Sequence, residues 1–486
     1  GEALAEPRIE TTPSPSPSSS GEALAEPRIE TLLDDADRAF RDVLDATPDG
    51  AWFAPGRLNL VGEHTDYNGG FVLPLALERG AVACVRRRDD DLVRVHSTDL
   101  GSTVQVRLGE VGPDAGLDWA AYVAGVGWAA VQRGLPVPGI DLAVSSNVPA
   151  GAGLSSSAAL SCVTARAWAD LAGWDLPDVE IAALGRDAEN HVAGAPTGVM
   201  DQLASVCGRK GHALEIDTRS VEITWLPFDP ASAGLALLVI DSRTPHALVD
   251  GAYAERRESC RRAAAALGVA ELRDVPVDGL EQRLAELPDL LRRRARHVVT
   301  DSDRVEQAAA LLTSGADPRE LGPLLDASHA SMRDDFEITV PTVDTIQRAA
   351  VAAGAYGARM TGGGFGGCVI ALVDAAAVDR EQHVELLDRD VVHERMVRRR
   401  DVHPPAARQR ACGADDEQRC GAPRAVLQRR RERTQAHKQE PRPGRGRDQN
   451  LEYVALREPV ADRRADRRPE LVRPRGDMVL DHPAVV

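Results

Sequence analysis

The sequence predicts a mixed α+β protein, on three observations. Segments such as Thr103 to Leu108 and Ile140 to Val144 alternate apolar and polar residues at period two, the mark of strands. Helical stretches are interleaved with them, most clearly after Gly153, where Leu160, Val163, Trp168 and Leu171 mark an apolar face near helical spacing. The 486 residues, 43% hydrophobic and 27% charged, can bury a sizeable core, and the length suits two or three folding units.

Charge narrows the class of partner. A formal net charge of −17 argues against a nucleic-acid or anionic-membrane surface, because a phosphate backbone needs clustered positive charge. A small-molecule substrate and a monomer are expected. No run of eighteen apolar residues occurs, and the first thirty residues lack the basic-then-apolar order of a secretory signal, so the cytoplasm is the expected location. The 7 cysteines are scattered without a C-x-x-C pair, which predicts free thiols. Only Lys210 and Lys438 are lysine, and neither follows a G-x-x-x-x-G pattern. Any phosphate site must therefore use backbone amides.

The chain divides by composition. Residues 1–10 (GEALAEPRIE) recur unchanged at 21–30 around a Pro/Ser spacer, so 1–30 is expected to be a disordered leader. A globular pattern follows to about residue 378. From 379 to 486 arginine-rich runs appear with little apolar periodicity.

Three motifs carry chemistry. Gly56 to Gly70 (GRLNLVGEHTDYNGG) crowds Glu63, His64 and Asp66 between apolar strands, and these groups suit the hydroxyls of a sugar; Asn68-Gly69 reads as a hairpin turn. Val148 to Ala159 (VPAGAGLSSSAA) follows a strand and opens a helix. Its glycines let amides turn inward and the helix N-terminus adds partial positive charge, so Gly151, Ala152, Gly153, Leu154, Ser155, Ser156 and Ser157 form an expected anion cradle. Met360 to Cys368 (MTGGGFGGC) places 5 glycines around one aromatic, as where backbone passes close to a ligand, with a tight turn between two buried strands as the alternative.

Together these segments resemble the GHMP kinases, and GRLNLVGEHTDYNGG is similar to the galactokinase signature within that superfamily. The likeness runs from about Ala51 to Val373 and takes in Gly198-Val199-Met200-Asp201-Gln202 and a segment with His246, Tyr253, Arg256 and Arg257. It implies a two-domain GHMP kinase fold, 31–215 and 216–378, with the active site in the interdomain cleft. It also implies transfer of the γ-phosphate of ATP to the C1 hydroxyl of galactose. Asp201 would face that hydroxyl, removing or aligning its proton, with helix N-capping as the plain alternative. Arg57 would lie beside Asp201 and the transferring phosphate. Glu63, His64, Asp66, Asp201 and Tyr253 would line the sugar site. Ser157 and Glu189 would hold Mg2+, although a glutamate in the helical stretch Val179 to Val192 would ordinarily be exposed. An N-acetylgalactosamine or other sugar 1-kinase, and a non-catalytic sugar and ATP sensor of the same family, are the alternatives.

The resemblance ends near Val378. Relatives continue with a helix and a final strand, whereas this sequence turns arginine-rich; a solvated disordered tail or a slipped coding frame would each produce the change. The strand after the third motif would then border an unfilled place in its sheet.

Overall fold

The computed structural model describes residues 29–378 apart from 114, 196 and 245–248. The tail, His246 and almost all of the leader lie outside the described residues. The exception is that helix α1 (Ile29–Leu44) takes in Ile29 and Glu30, because Leu32, Ala36, Phe40 and Leu44 recur at helical spacing and bury against the first sheet.

That sheet has five strands in the order β1 (Gly50–Asn59), β3 (Pro74–Arg87), β6 (Ile140–Ser146), β4 (Leu92–Ser97) and β5 (Ser102–Arg107). All neighbours are antiparallel except β4 and β6. Helices α2 (Ala121–Gln132), α3 (Ser156–Ala172), α4 (Asp178–Ala188) and α5 (Met200–Cys207) cluster together, with α3 and α5 against β1 and β3, while α1 packs on β3 and β6. The alternation in β6 does not put its polar residues in water. Asp141 is fully buried and accepts from Arg86 Nη2, Arg88 Nη1 and Arg94 Nε at 2.5 to 2.8 Å, since a charge in a central strand must be paired, here by half-buried arginines that keep part of their surface in water.

A small antiparallel sheet joins β2 (Phe71–Val72), β7 (His212–Asp217) and β8 (Glu222–Pro227). The boundary expected at 215 thus falls inside β7. The remaining sheet, β10 (Gly357–Thr361), β11 (Cys368–Asp374) and β9 (Leu235–Asp241), is antiparallel in that order. The strand after the third motif, β11, is therefore central and paired on both sides. Helices α6 (Val249–Leu267), α7 (Leu280–Leu284), α8 (Asp289–Ser314), α9 (Gly322–Ser331) and α10 (Pro341–Ala352) complete this half, with α9 and α10 against β10. The second half has its own core, including Phe336, Ile338, Val369 and Ala371. All described residues belong to one compact unit. Among them no helix is long and apolar enough to cross a membrane.

Candidate active site

The first motif does not close as a simple hairpin. Asp66–Asn68 form one turn of 3-10 helix, ended by Gly69 in the left-handed region, because the Asn68 side chain is buried and donates to the His64 carbonyl at 2.9 Å rather than occupying a reverse turn. His64 itself has φ 61°, a conformation that a non-glycine residue adopts at a cost and that recurs at functional sites.

Upstream, β1 carries Arg57 to the mouth of the serine loop. The Arg57 backbone amide donates to Leu154 O at 3.1 Å, and its Nη1 donates to Gly153 O at 2.6 Å. The loop then enters α3 through Ser155, which is left-handed at φ 60°. Gly153 (φ 78°) and Gly362 (φ 91°) press together: a Cβ on Gly362 would lie 2.8 Å from Gly153 O and 3.0 Å from its Cα. Of the third motif's glycines, Gly362 is therefore required by the serine loop, across the cleft between the two halves, while a Cβ on Gly364 would instead meet Ile338.

Asp201 lies in the first turn of α5 but does not cap it; Val199 holds the cap position without a side-chain bond. Its carboxylate turns instead to Arg57, which donates from Nε at 2.9 Å and from Nη2 at 2.7 Å, a bidentate pair joining residues far apart in sequence. The Ser155 hydroxyl donates to the same carboxylate.

Beside this pair opens a cavity of about 400 Å³, lined from one half by Glu63, His64, Asp66 and Gly198 and from the other by Tyr253 and Gly363. Burial, and then the charges of Asp201 and Glu63, push the Asp66 carboxyl up to about 7. Burial also raises Glu63, whose Oε1 accepts from Gly362 N at 2.8 Å. His64 Nε2 lies 3.1 Å from the Gly363 carbonyl, which can only accept, so Nε2 carries the proton and Nδ1 accepts from the Tyr67 hydroxyl at 2.7 Å. Burial lowers the imidazole to about 3, leaving it neutral. Both its nitrogens are thus engaged by the protein, and the ring shapes the wall 4.9 Å from the Tyr253 ring centre.

Glu189 is not exposed. It opens a π-helical turn (Glu189–Ala193) at the end of α4, is 4% accessible, and accepts from Ser157 Oγ at 2.8 Å and Gln202 Nε2 at 2.5 Å. Burial, then the charge of Asp201, push its carboxyl up to about 7. Ser157 and Glu189 are thus adjacent, as a one- or two-oxygen Mg2+ site needs. Of the serine loop, every residue expected lines the cavity except Ala152, whose side chain joins the hydrophobic core.

Sequence reasoning missed Tyr122, Thr197 and Gly198 in the cavity wall. It also missed Asp301, His297 and Arg359 behind it. A signal existed for the α8 residues: Arg294, His297, Asp301 and Arg304 recur at steps of three and four on one helix face, and the first three are buried.

The anion loop and the carboxylate-lined cavity open onto the same Arg57–Asp201 pair, so a phosphoryl donor and a hydroxyl acceptor would meet there. Fold and site together define a small-molecule kinase. The profile of the GHMP kinases N terminal domain matches residues 121–209, that of the GHMP kinases C terminal domain matches 308–384, and the galactokinase galactose-binding signature matches 38–87. A galactokinase of Streptomyces coelicolor is 50% identical over 343 residues, covering 70% of this chain and 88% of that protein. One from Pasteurella multocida is 44% identical over 357 residues, covering 72% and 91%. The crystal structure of Lactococcus lactis galactokinase complexed with galactose has a TM-score of 0.71 at 32% identity, covering 75% of this chain and 96% of that one. The chain belongs to the galactokinase family of the GHMP kinases.

Proposed function

We propose that this chain transfers the γ-phosphate of ATP to the C1 hydroxyl of galactose, giving galactose 1-phosphate and ADP. The observation that carries this reading is the Asp201 carboxylate, clamped by Arg57 and Ser155 where the phosphate loop meets the acid-lined cavity. The sugar's C1 hydroxyl approaches Asp201, which orients it and accepts its proton as the bond to phosphorus forms. Arg57 stays charged and stabilises the phosphoryl oxygens as charge redistributes. Backbone amides of Gly151 to Ser156 and the α3 N-terminus hold the remaining phosphates in place of a lysine. Glu63 and Asp66 accept from ring hydroxyls, His64 and Tyr253 close the wall, and a sugar lacking a hydroxyl leaves a buried carboxylate unsatisfied.

Ser157 and Glu189 would hold Mg2+, which would supply positive charge to neutralise the polyphosphate. The cytoplasm is the expected compartment, supported by five buried free cysteines, Cys84, Cys162, Cys207, Cys260 and Cys368, among the described residues. The reading is tested by coupled measurement of ADP release with galactose, N-acetylgalactosamine, glucose and no sugar. Turnover confined to galactose supports it; ATP binding without turnover on any sugar would instead identify a sensor.

Two further results are expected. Glu189→Gln raises the Mg2+ concentration for half-maximal activity by roughly tenfold or more, and a titration of rate against free Mg2+ checks this. At saturating Mg2+ and ATP, kcat/KM for galactose rises with pH from about 5 to about 8. The sign follows from Asp66: its pKa is raised to about 7, so the ionised acceptor form is lost as pH falls through that value. Asp66→Asn removes this limb of the profile.

A further inference from the structure

Glu63 is gripped through its backbone as well as its carboxylate. Asp301, fully buried on α8, accepts from the backbone amides of Gly62 and Glu63, each at 3.1 Å, on one carboxylate oxygen, while the other accepts from Arg304 Nη1 at 3.0 Å. One turn earlier, His297 is also fully buried. Its Nε2 lies 3.0 Å from the Glu63 carbonyl and its Nδ1 lies 2.9 Å from Ser331 Oγ. A carbonyl only accepts, so Nε2 carries the proton and Nδ1 accepts from Ser331. The third handle is Oε1, taken by Gly362 N at 2.8 Å with the buried Arg359 guanidinium 3.6 Å away. The amide, carbonyl and one carboxylate oxygen of Glu63 are each fixed by the second half of the molecule.

These bonds satisfy backbone groups that would otherwise be buried unpaired, so apolar residues at 297 and 301 would cost stability. They also converge on the two backbone atoms that flank one cavity-lining carboxylate. We propose that His297 and Asp301 are positioning residues for sugar recognition, locking Glu63 and the turn after it against α8 so that the sugar wall is preset before galactose enters. The proposal rests on the assignment of Glu63 to the sugar site. It predicts that their loss weakens sugar recognition and leaves the nucleotide side unchanged, since their hydrogen bonds go to Gly62, Glu63, Ser331 and Arg304 and not to the serine loop.

Four variants test it: Asp301→Asn, His297→Leu, His297→Gln and Glu63→Gln, each assayed for KM toward galactose and ATP, kcat, and thermal midpoint. Asp301→Asn and His297→Leu are expected to raise KM for galactose about tenfold to a hundredfold while KM for ATP stays within about twofold. His297→Gln can donate to the Glu63 carbonyl and accept from Ser331, and should keep KM for galactose within about threefold of wild type. A merely structural role would lower the thermal midpoint of His297→Leu without splitting the two KM values. Equal KM changes for both substrates, or equal effects of Leu and Gln at 297, would overturn the proposal. If Asp301→Asn does not fold, the 297 pair still decides. An unchanged KM for galactose in Glu63→Gln would remove the assignment beneath it, whereas a raised KM there with none in His297→Leu would defeat the positioning role alone.

Discussion

Asp201→Asn is expected to lower kcat by about three orders of magnitude while leaving the dissociation constant for galactose within a few-fold. The two side chains have nearly the same shape, so the cavity is preserved. What changes is donor and acceptor pattern. The carboxylate accepts from Arg57 Nε and Nη2 and from the Ser155 hydroxyl. An amide offers only one acceptor oxygen, and its NH2 would face a guanidinium donor, so the arginine clamp loosens together with the loss of the proton acceptor. Steady-state kinetics and calorimetric titration with galactose check both halves. Turnover within about tenfold of wild type would mean that proton transfer needs no group at this position.

Gly198→Ala should be nearly as damaging, through the sugar rather than the chemistry. Gly198 has no unusual backbone angle, yet a Cβ there would lie 1.6 Å from Asp66 Oδ2 and 2.3 Å from Cγ, so the Asp66 carboxyl fills the space that any side chain would take. Alanine must expel it from the wall. KM for galactose is expected to rise about a hundredfold, the scale of losing a hydrogen bond to a charged group, with KM for ATP little changed. Gly109→Ala is the control: nothing lies within 4 Å of a Cβ there, and its kinetics should match wild type. A normal KM for galactose in Gly198→Ala would show that Asp66 does not contact the sugar.

Much of this protein was legible before its structure. Period-two alternation located β5 and β6, and apolar residues at helical spacing after Gly153 located α3, because the repeat of apolar residues follows the geometry of the element. The scarcity of lysine, together with glycines before a helix, led to an expected amide-built phosphate loop, and its residues other than Ala152 line the cavity. The three motifs led to the galactokinase family and to most of the cavity wall.

Local patterns give the type of element, but not what packs on each of its faces. Alternation in β6 gave no hint that Asp141 would be enclosed by three arginines, since a charge in a central strand looks like one in an edge strand until its neighbours are placed. Spacing alone made an exposed helical residue the plain alternative for Glu189, and only the likeness to relatives made it a ligand, because nothing in the sequence announces the π turn that buries it. The likeness to relatives could suggest that Arg57 meets Asp201, but only the tertiary structure closes the pair across 144 positions and adds Ser155 to it.

The sequence by itself determined the elements, the three motifs and the chemistry that each could offer, because residue type and spacing act over a few turns of chain. The tertiary structure decided which carboxylates share the cavity, which of them are raised toward neutrality by burial and by one another, and that α8 supports Glu63 from the far half. Those outcomes depend on distance and desolvation between residues hundreds of positions apart, which are set only when the sheets and helices pack.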